Sequence, residues 1–79
     1  MKTNDALRKI VRESNKSAIA ISKEIGRRPN YVSSLLHSGS IPSCETFASI
    51  AAACGAELQV VKDGEVMILD GWDLPGDDE

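Results

Sequence analysis

Up to residue 54 the apolar positions recur at helical spacing in four short groups, and beyond Gly55 the period shortens to two. Leu7, Ile10 and Val11, continued by Ser14, form an i, i+3, i+4, i+7 series. They predict a first helix from about Asp5 to Asn15, capped by Thr3 or Asn4, with Arg8, Lys9 and Arg12 off the stripe. Ser17 caps a second helix, Ala18 to Ile25, whose Ile21 and Ile25 lie one turn apart in the core. Ser22 falls where that helix crosses its neighbour closely, a place that suits a small side chain. Gly26 then turns the chain in a left-handed conformation.

A third helix opens at Pro29, whose missing N–H costs nothing at a first helical position. Val32, Leu35 and Leu36 face inward; Asn30, Ser33, Ser34 and His37 lie on the other side. A solvent face would ordinarily carry Glu and Lys, the better helix formers, so this run of short polar groups is unusual. Ser38-Gly39-Ser40 breaks the helix. Ser43 caps a fourth, Cys44 to Cys54, with Glu45 favourable in its first turn and Phe47, Ile50, Ala51 and Cys54 as its buried stripe. Gly55 ends it.

Leu58–Val61 and Val66–Leu69, joined by Lys62-Asp63-Gly64-Glu65, read as a β-hairpin, since Asp-Gly is a strong two-residue turn signal. One face carries Leu58, Val60, Met67 and Leu69; the other carries Gln59, Val61, Val66 and Ile68. Both are apolar. The helices of so small a domain can cover one face, and the other, or the free strand edge, wants a partner. Trp72 anchors the start of a tail that ends in three acids and is expected to be disordered. The fold expected is mainly α: four helices in residues 1–56, a hairpin in 57–72 belonging to the same domain, and an acidic tail in 73–79.

The chain has 79 residues, room for one small domain. With 42% hydrophobic and 27% charged residues it reads as soluble and globular. No apolar run approaches the roughly 20 residues of a membrane span. The mixed first 15 residues do not read as a signal peptide, so the cytoplasm is expected. Cys44 and Cys54 are too far apart on one helix to bridge, and are expected to be buried thiols. With His37 they make too few ligands, at odd spacing, for zinc, so neither metal nor cofactor is expected. One histidine and no phosphate-cradling loop argue against an enzyme.

The net charge of −3 hides a polarity. Residues 1–39 hold eight of the nine Lys and Arg against three acids, a net +5; residues 40–79 hold one Lys against nine acids, a net −8. The basic half contains the second and third helices. Two helices joined by a tight turn containing glycine describe a helix-turn-helix, whose main use is to place its second helix in the major groove of DNA. Base reading then falls to Arg28, Asn30, Ser33, Ser34 and His37, with Arg28 suited to guanine and Asn30 to adenine. Arg28 serves equally as a phosphate contact, and His37 as a cap on helical carbonyls. Lys16, Ser17, Arg27 and Ser40 stand at the motif edges as phosphate contacts, and Tyr31 either supports a phosphate or packs at the core rim.

The ordered set Ser22-Lys23-Glu24-Ile25-Gly26, Val32-Ser33 with Leu35, Pro42-Ser43, Glu45-Thr46-Phe47, Ile50-Ala51 and Gly55 resembles the Cro/repressor-type (lambda-repressor-like, XRE-type) helix-turn-helix family over residues 4 to 58. Ser22 stands where an alanine is usual. Ala18 stands where a DNA-touching glutamine is frequent. Gly39 comes one residue late, and the hairpin replaces a fifth helix, as in members that dimerise through C-terminal strands. The resemblance implies a regulator of transcription binding double-stranded DNA as a homodimer, a phage- or prophage-type repressor associated with the nucleoid. Leu58, Val60, Val61, Val66 and Ile68 are the expected dimer contacts, unless the hairpin folds over its own helices. The alternative is a DNA-binding antitoxin, whose acidic tail would meet a basic toxin.

Overall fold

Four helices and a hairpin follow one another in a computed structural model that describes residues 1–70. They are α1 (Thr3–Glu13), α2 (Ala18–Glu24), α3 (Tyr31–Ser38), α4 (Cys44–Ala53), β1 (Leu58–Lys62) and β2 (Glu65–Leu69). Trp72 and the acidic tail lie outside the described residues.

The helical stripes converge on one core. Leu7 and Val11 from α1, Ile21 and Ile25 from the α2 end, Val32 from α3 and Ile50 from α4 are all buried. Ile10, Leu35, Leu36, Phe47 and Cys54 pack around them, partly buried. Thr46 and Ala48, not expected inside, are buried as well. Phe47 and Cys54, expected within the stripe, lie at its rim. Cys44 corrects the expectation of two buried thiols: it begins α4 and is exposed.

The helix ends follow ordinary capping chemistry. The Ser17 and Ser43 hydroxyls accept from the N–H groups of Ala20 and Thr46. Beyond α2, the Arg27 N–H returns to the Ser22 carbonyl (2.9 Å) and the Gly26 N–H to that of Lys23 (3.0 Å). Ala56 and Gly55 repeat this double closure on Ala51 and Ala52 beyond α4.

Two helices, α1 and α3, depart from expectation by two residues at an end, and the other elements by at most one. At α1 the N-cap position is Lys2, with no side-chain cap, and the helix stops at Glu13. The Ser14 hydroxyl donates to the Val11 carbonyl (2.7 Å), and Asn15 turns left-handed at φ 62°. At α3 the helix starts at Tyr31, two residues after Pro29. The Tyr31 N–H closes on the Arg28 carbonyl (3.0 Å), and Asn30 sits at φ −94°, ψ 9°. Those are the dihedrals of the third position of a type I turn, whose second position favours proline. Arg28-Pro29-Asn30-Tyr31 is therefore a turn leading into the helix.

β1 and β2 pair antiparallel in the expected register, Leu58 with Leu69 through Lys62 with Glu65. Asp63 (φ 52°) and Gly64 (φ 84°) are both left-handed, as a type I′ turn requires. The expectation that the helices cover one face is not met. Val60 and Met67 on the first face are 43% and 40% exposed; Val61, Val66 and Ile68 on the second are 63%, 53% and 53% exposed. Only Leu58 and Leu69, at the base, are partly buried.

Candidate nucleic-acid interface

Helix α3 is held by side chains borrowed from its neighbours. At its start, the hydroxyl of the buried Ser22 in α2 accepts from the Val32 N–H (3.0 Å) and donates to the Ala18 carbonyl (2.8 Å). At its end, Arg8 of α1 donates to the Leu36 carbonyl (2.9 Å) and Asn4 donates through Nδ2 to the Gly39 carbonyl (2.7 Å). Gly39, left-handed at φ 75°, also returns its N–H to Leu35 (3.0 Å). Groups that helix ends leave without partners are thus satisfied from outside α3.

This arrangement leaves the outward side of α3 unspent. Asn30, Ser33, Ser34 and His37 fall at i, i+3, i+4 and i+7 and are all exposed. Ser33 bonds back to the Asn30 carbonyl (3.1 Å). The side chains of Arg28, Asn30, Ser34 and His37 make no hydrogen bond or ion pair among the described residues. The capping role open to His37 belongs to Arg8 and Asn4 instead.

Among the residues expected at the edges, Arg27 stacks over the Tyr31 ring, 4.8 Å from its centroid, while the ring itself is half-buried against the core. Tyr31 thus packs at the rim of the core and carries a cation on its ring. Arg27 also borders an open cleft with Ser43, Glu45 and Thr46 at the start of α4. Ser17 is engaged as the α2 cap, and the Ser40 and Ser38 hydroxyls pair at 2.9 Å. Lys16 also has partners within the chain. Its ammonium lies 2.9 Å from Oε1 and 3.2 Å from Oε2 of Glu24, and 2.7 Å from the Ala53 carbonyl. It ties the end of α4 to α2, and its charge is already balanced by a carboxylate.

Sequence reasoning missed Asn4, Arg8 and Ser22 as the residues that hold α3. For Ser22 a signal was present: a hydroxyl at a close helix crossing must find partners when buried. For Asn4 and Arg8 there was none, because their acceptors are carbonyls more than 25 residues away.

The remaining chemistry is sparse. Burial pushes the Cys54 thiol up. Among the described residues no three His, Cys, Asp or Glu side chains are grouped to hold a metal, and no helix is long and apolar enough to cross a membrane. Comparison with protein-family models, curated proteins and solved structures yields no match.

Proposed function

We propose that the protein binds double-stranded DNA in a sequence-specific way and regulates transcription, with α3 inserted in the major groove. The observation that carries this reading is the outward side of α3: four short polar side chains in one exposed row, on a helix fixed at both ends by other helices. A groove reader needs hydrogen-bonding side chains of limited reach on a rigid support. Arg28 enters at the start of this row and suits guanine; Asn30 suits adenine. Arg27, held over Tyr31, and Ser17 and Ser40 at the edges would engage phosphates and fix the register. Lys16, bound to Glu24, is left out of this set. The net +5 of residues 1–39 supports attraction to a polyanion despite the acidic whole. We read the four helices as a Cro/repressor-type domain, acting as a homodimer through the uncovered hairpin.

Selection of bound duplexes from a random library at near-physiological salt tests the proposal. The expected result is an inverted repeat with half-sites about one helical turn, 34–36 Å, apart. Recovery of no preferred sequence, with binding that vanishes as salt rises, would leave charge attraction alone and sink the reading.

A further inference from the structure

Asn30 occupies the N-cap position of α3, yet its side chain makes no cap hydrogen bond. Asparagine is among the best N-caps, and its usual target is the N–H of the second or third helical residue. Counting from Tyr31, the third is the exposed Ser33 and the second is the buried Val32. That N–H is already taken, by the Ser22 hydroxyl from α2. The backbone agrees with this division. N-cap residues usually adopt extended dihedrals, as Ser17 and Ser43 do here (ψ 156° and 164°). Asn30, as the third residue of a type I turn, has ψ 9° instead. Its amide makes no cap bond while this turn and the Ser22 hydroxyl are both in place.

Ser22 is well fixed for the task. It is fully buried, its hydroxyl proton goes to Ala18, and its own carbonyl receives the Arg27 N–H. With its proton directed to Ala18, the oxygen offers a lone pair to Val32. One residue thus closes α2, orders the turn and caps α3.

We propose that Ser22 is a specificity-positioning residue: its hydroxyl caps α3 from the neighbouring helix and so reserves the Asn30 amide for a base edge. This role rests on the nucleic-acid reading above. Removing the hydroxyl leaves the Val32 N–H buried and unpartnered, with Asn30 at the N-cap position two residues earlier. In Ser22→Ala, Asn30 turns inward to cap, and the base it would read goes unread.

Two measurements on the full chain test this. The first needs no DNA. In Ser22→Ala, amide exchange at Val32 should accelerate about two- to tenfold, and the Asn30 side-chain NH2 resonances should move. Unchanged Val32 exchange and unmoved Asn30 resonances would overturn the proposal whatever the protein binds. The second is duplex selection. Ser22→Ala should lose preference at a single base pair per half-site, a loss of about five- to a hundred-and-fiftyfold, while its affinity for random DNA at low salt stays unchanged. Asn30→Ala should lose the same preference, and the double variant no more than either alone. Equal loss of specific and non-specific binding in Ser22→Ala would mean that the hydroxyl merely holds the fold, and would overturn the role. If the parent itself selects no sequence while the exchange result holds, the nucleic-acid reading has failed and the specificity role falls with it, leaving only the cap. Should Ser22→Ala not fold, Ser22→Cys, with a weaker hydrogen-bonding group of similar size, replaces it and is expected to give a smaller loss at the same base pair.

Discussion

Helix α3 and the β1–β2 hairpin carry opposite kinds of surface for opposite structural reasons. α3 has a buried anchor, Val32, and three side chains from α1 and α2 on its end groups. Its outward side is polar. The hairpin has a well-formed ladder and turn, but its apolar side chains are exposed on both faces. A lone two-stranded hairpin is marginal in water, and an uncovered apolar one invites association. The helical unit is complete in one chain. The hairpin leaves apolar side chains exposed on both faces, and a second copy of this chain is the occupant that we propose for them. Under the proposed function the contrast assigns each partner its place: a hydrated polyanion against the polar row of α3, a second copy of the chain against the apolar hairpin.

Truncation separates the two regions most sharply. Ile50→Ala removes a fully buried side chain at the centre of the helical core and should cost about 2–5 kcal/mol, read as a large drop in the thermal midpoint. Ile68→Ala, on the exposed hairpin, should leave the midpoint nearly unchanged under dilute, monomeric conditions. Comparable losses in both variants would mean that the hairpin is part of the same core, and the contrast would collapse.

A charge on the hairpin probes the association itself. Val61→Asp places a carboxylate in the middle of the more exposed face, where an apolar contact would have to desolvate it. Sedimentation should show the parent as a dimer and the variant as a monomer, with the helical circular dichroism of the two alike. An unchanged sedimentation mass would exclude this face as the interface.

The two regions were also unequally legible from sequence. The hairpin register, its Asp63-Gly64 turn and the core positions Leu7, Val11, Ile21, Ile25, Val32 and Ile50 follow from periodicity and local turn chemistry, which act over a few residues. The start of α3 was misread because proline suits both a first helical position and a type I turn; only the Tyr31 to Arg28 closure decides between them. The side chains expected on the outer row of α3 could be named from spacing. What holds that row in place could not, since Asn4 and Arg8 act on carbonyls distant in sequence. The partners of Lys16 were illegible for a related reason: Glu24 and the Ala53 carbonyl are distant in sequence.

Asn4→Asp tests the borrowed support of α3. The change replaces the Nδ2 donor by an oxygen facing the Gly39 carbonyl, and brings negative charge to the C-terminal end of α3. An offset comes from α1, because the same acid sits in its first turn, where it is favourable by about 0.3–1 kcal/mol. The lost bond and the facing oxygens should prevail, for a net destabilisation of about 1–2 kcal/mol. Amide exchange should then quicken at the end of α3 and leave the β1–β2 ladder unaffected. A stabilised variant would show that the α1 dipole outweighs the tie.

The finest comparison uses two glycines of nearly equal conformation. Gly39 (φ 75°) ends α3 and Gly64 (φ 84°) turns the hairpin, so a side chain at either is strained by about 1–2 kcal/mol. An added Cβ meets only an ordinary contact at Gly39, 3.6 Å from Asn4 Nδ2, and nothing near Gly64. Local strain is therefore nearly the same, and any difference in outcome reports how each segment is coupled to the rest. Gly39→Ala should lower the global melting midpoint by several degrees, because α3 shares the core with every other helix. Gly64→Ala should leave that midpoint almost in place, speed amide exchange across β1 and β2 alone, and weaken self-association at low protein concentration. Equal global shifts for the two would show that the hairpin melts with the helices, and that its exposed faces are supported from within the single chain.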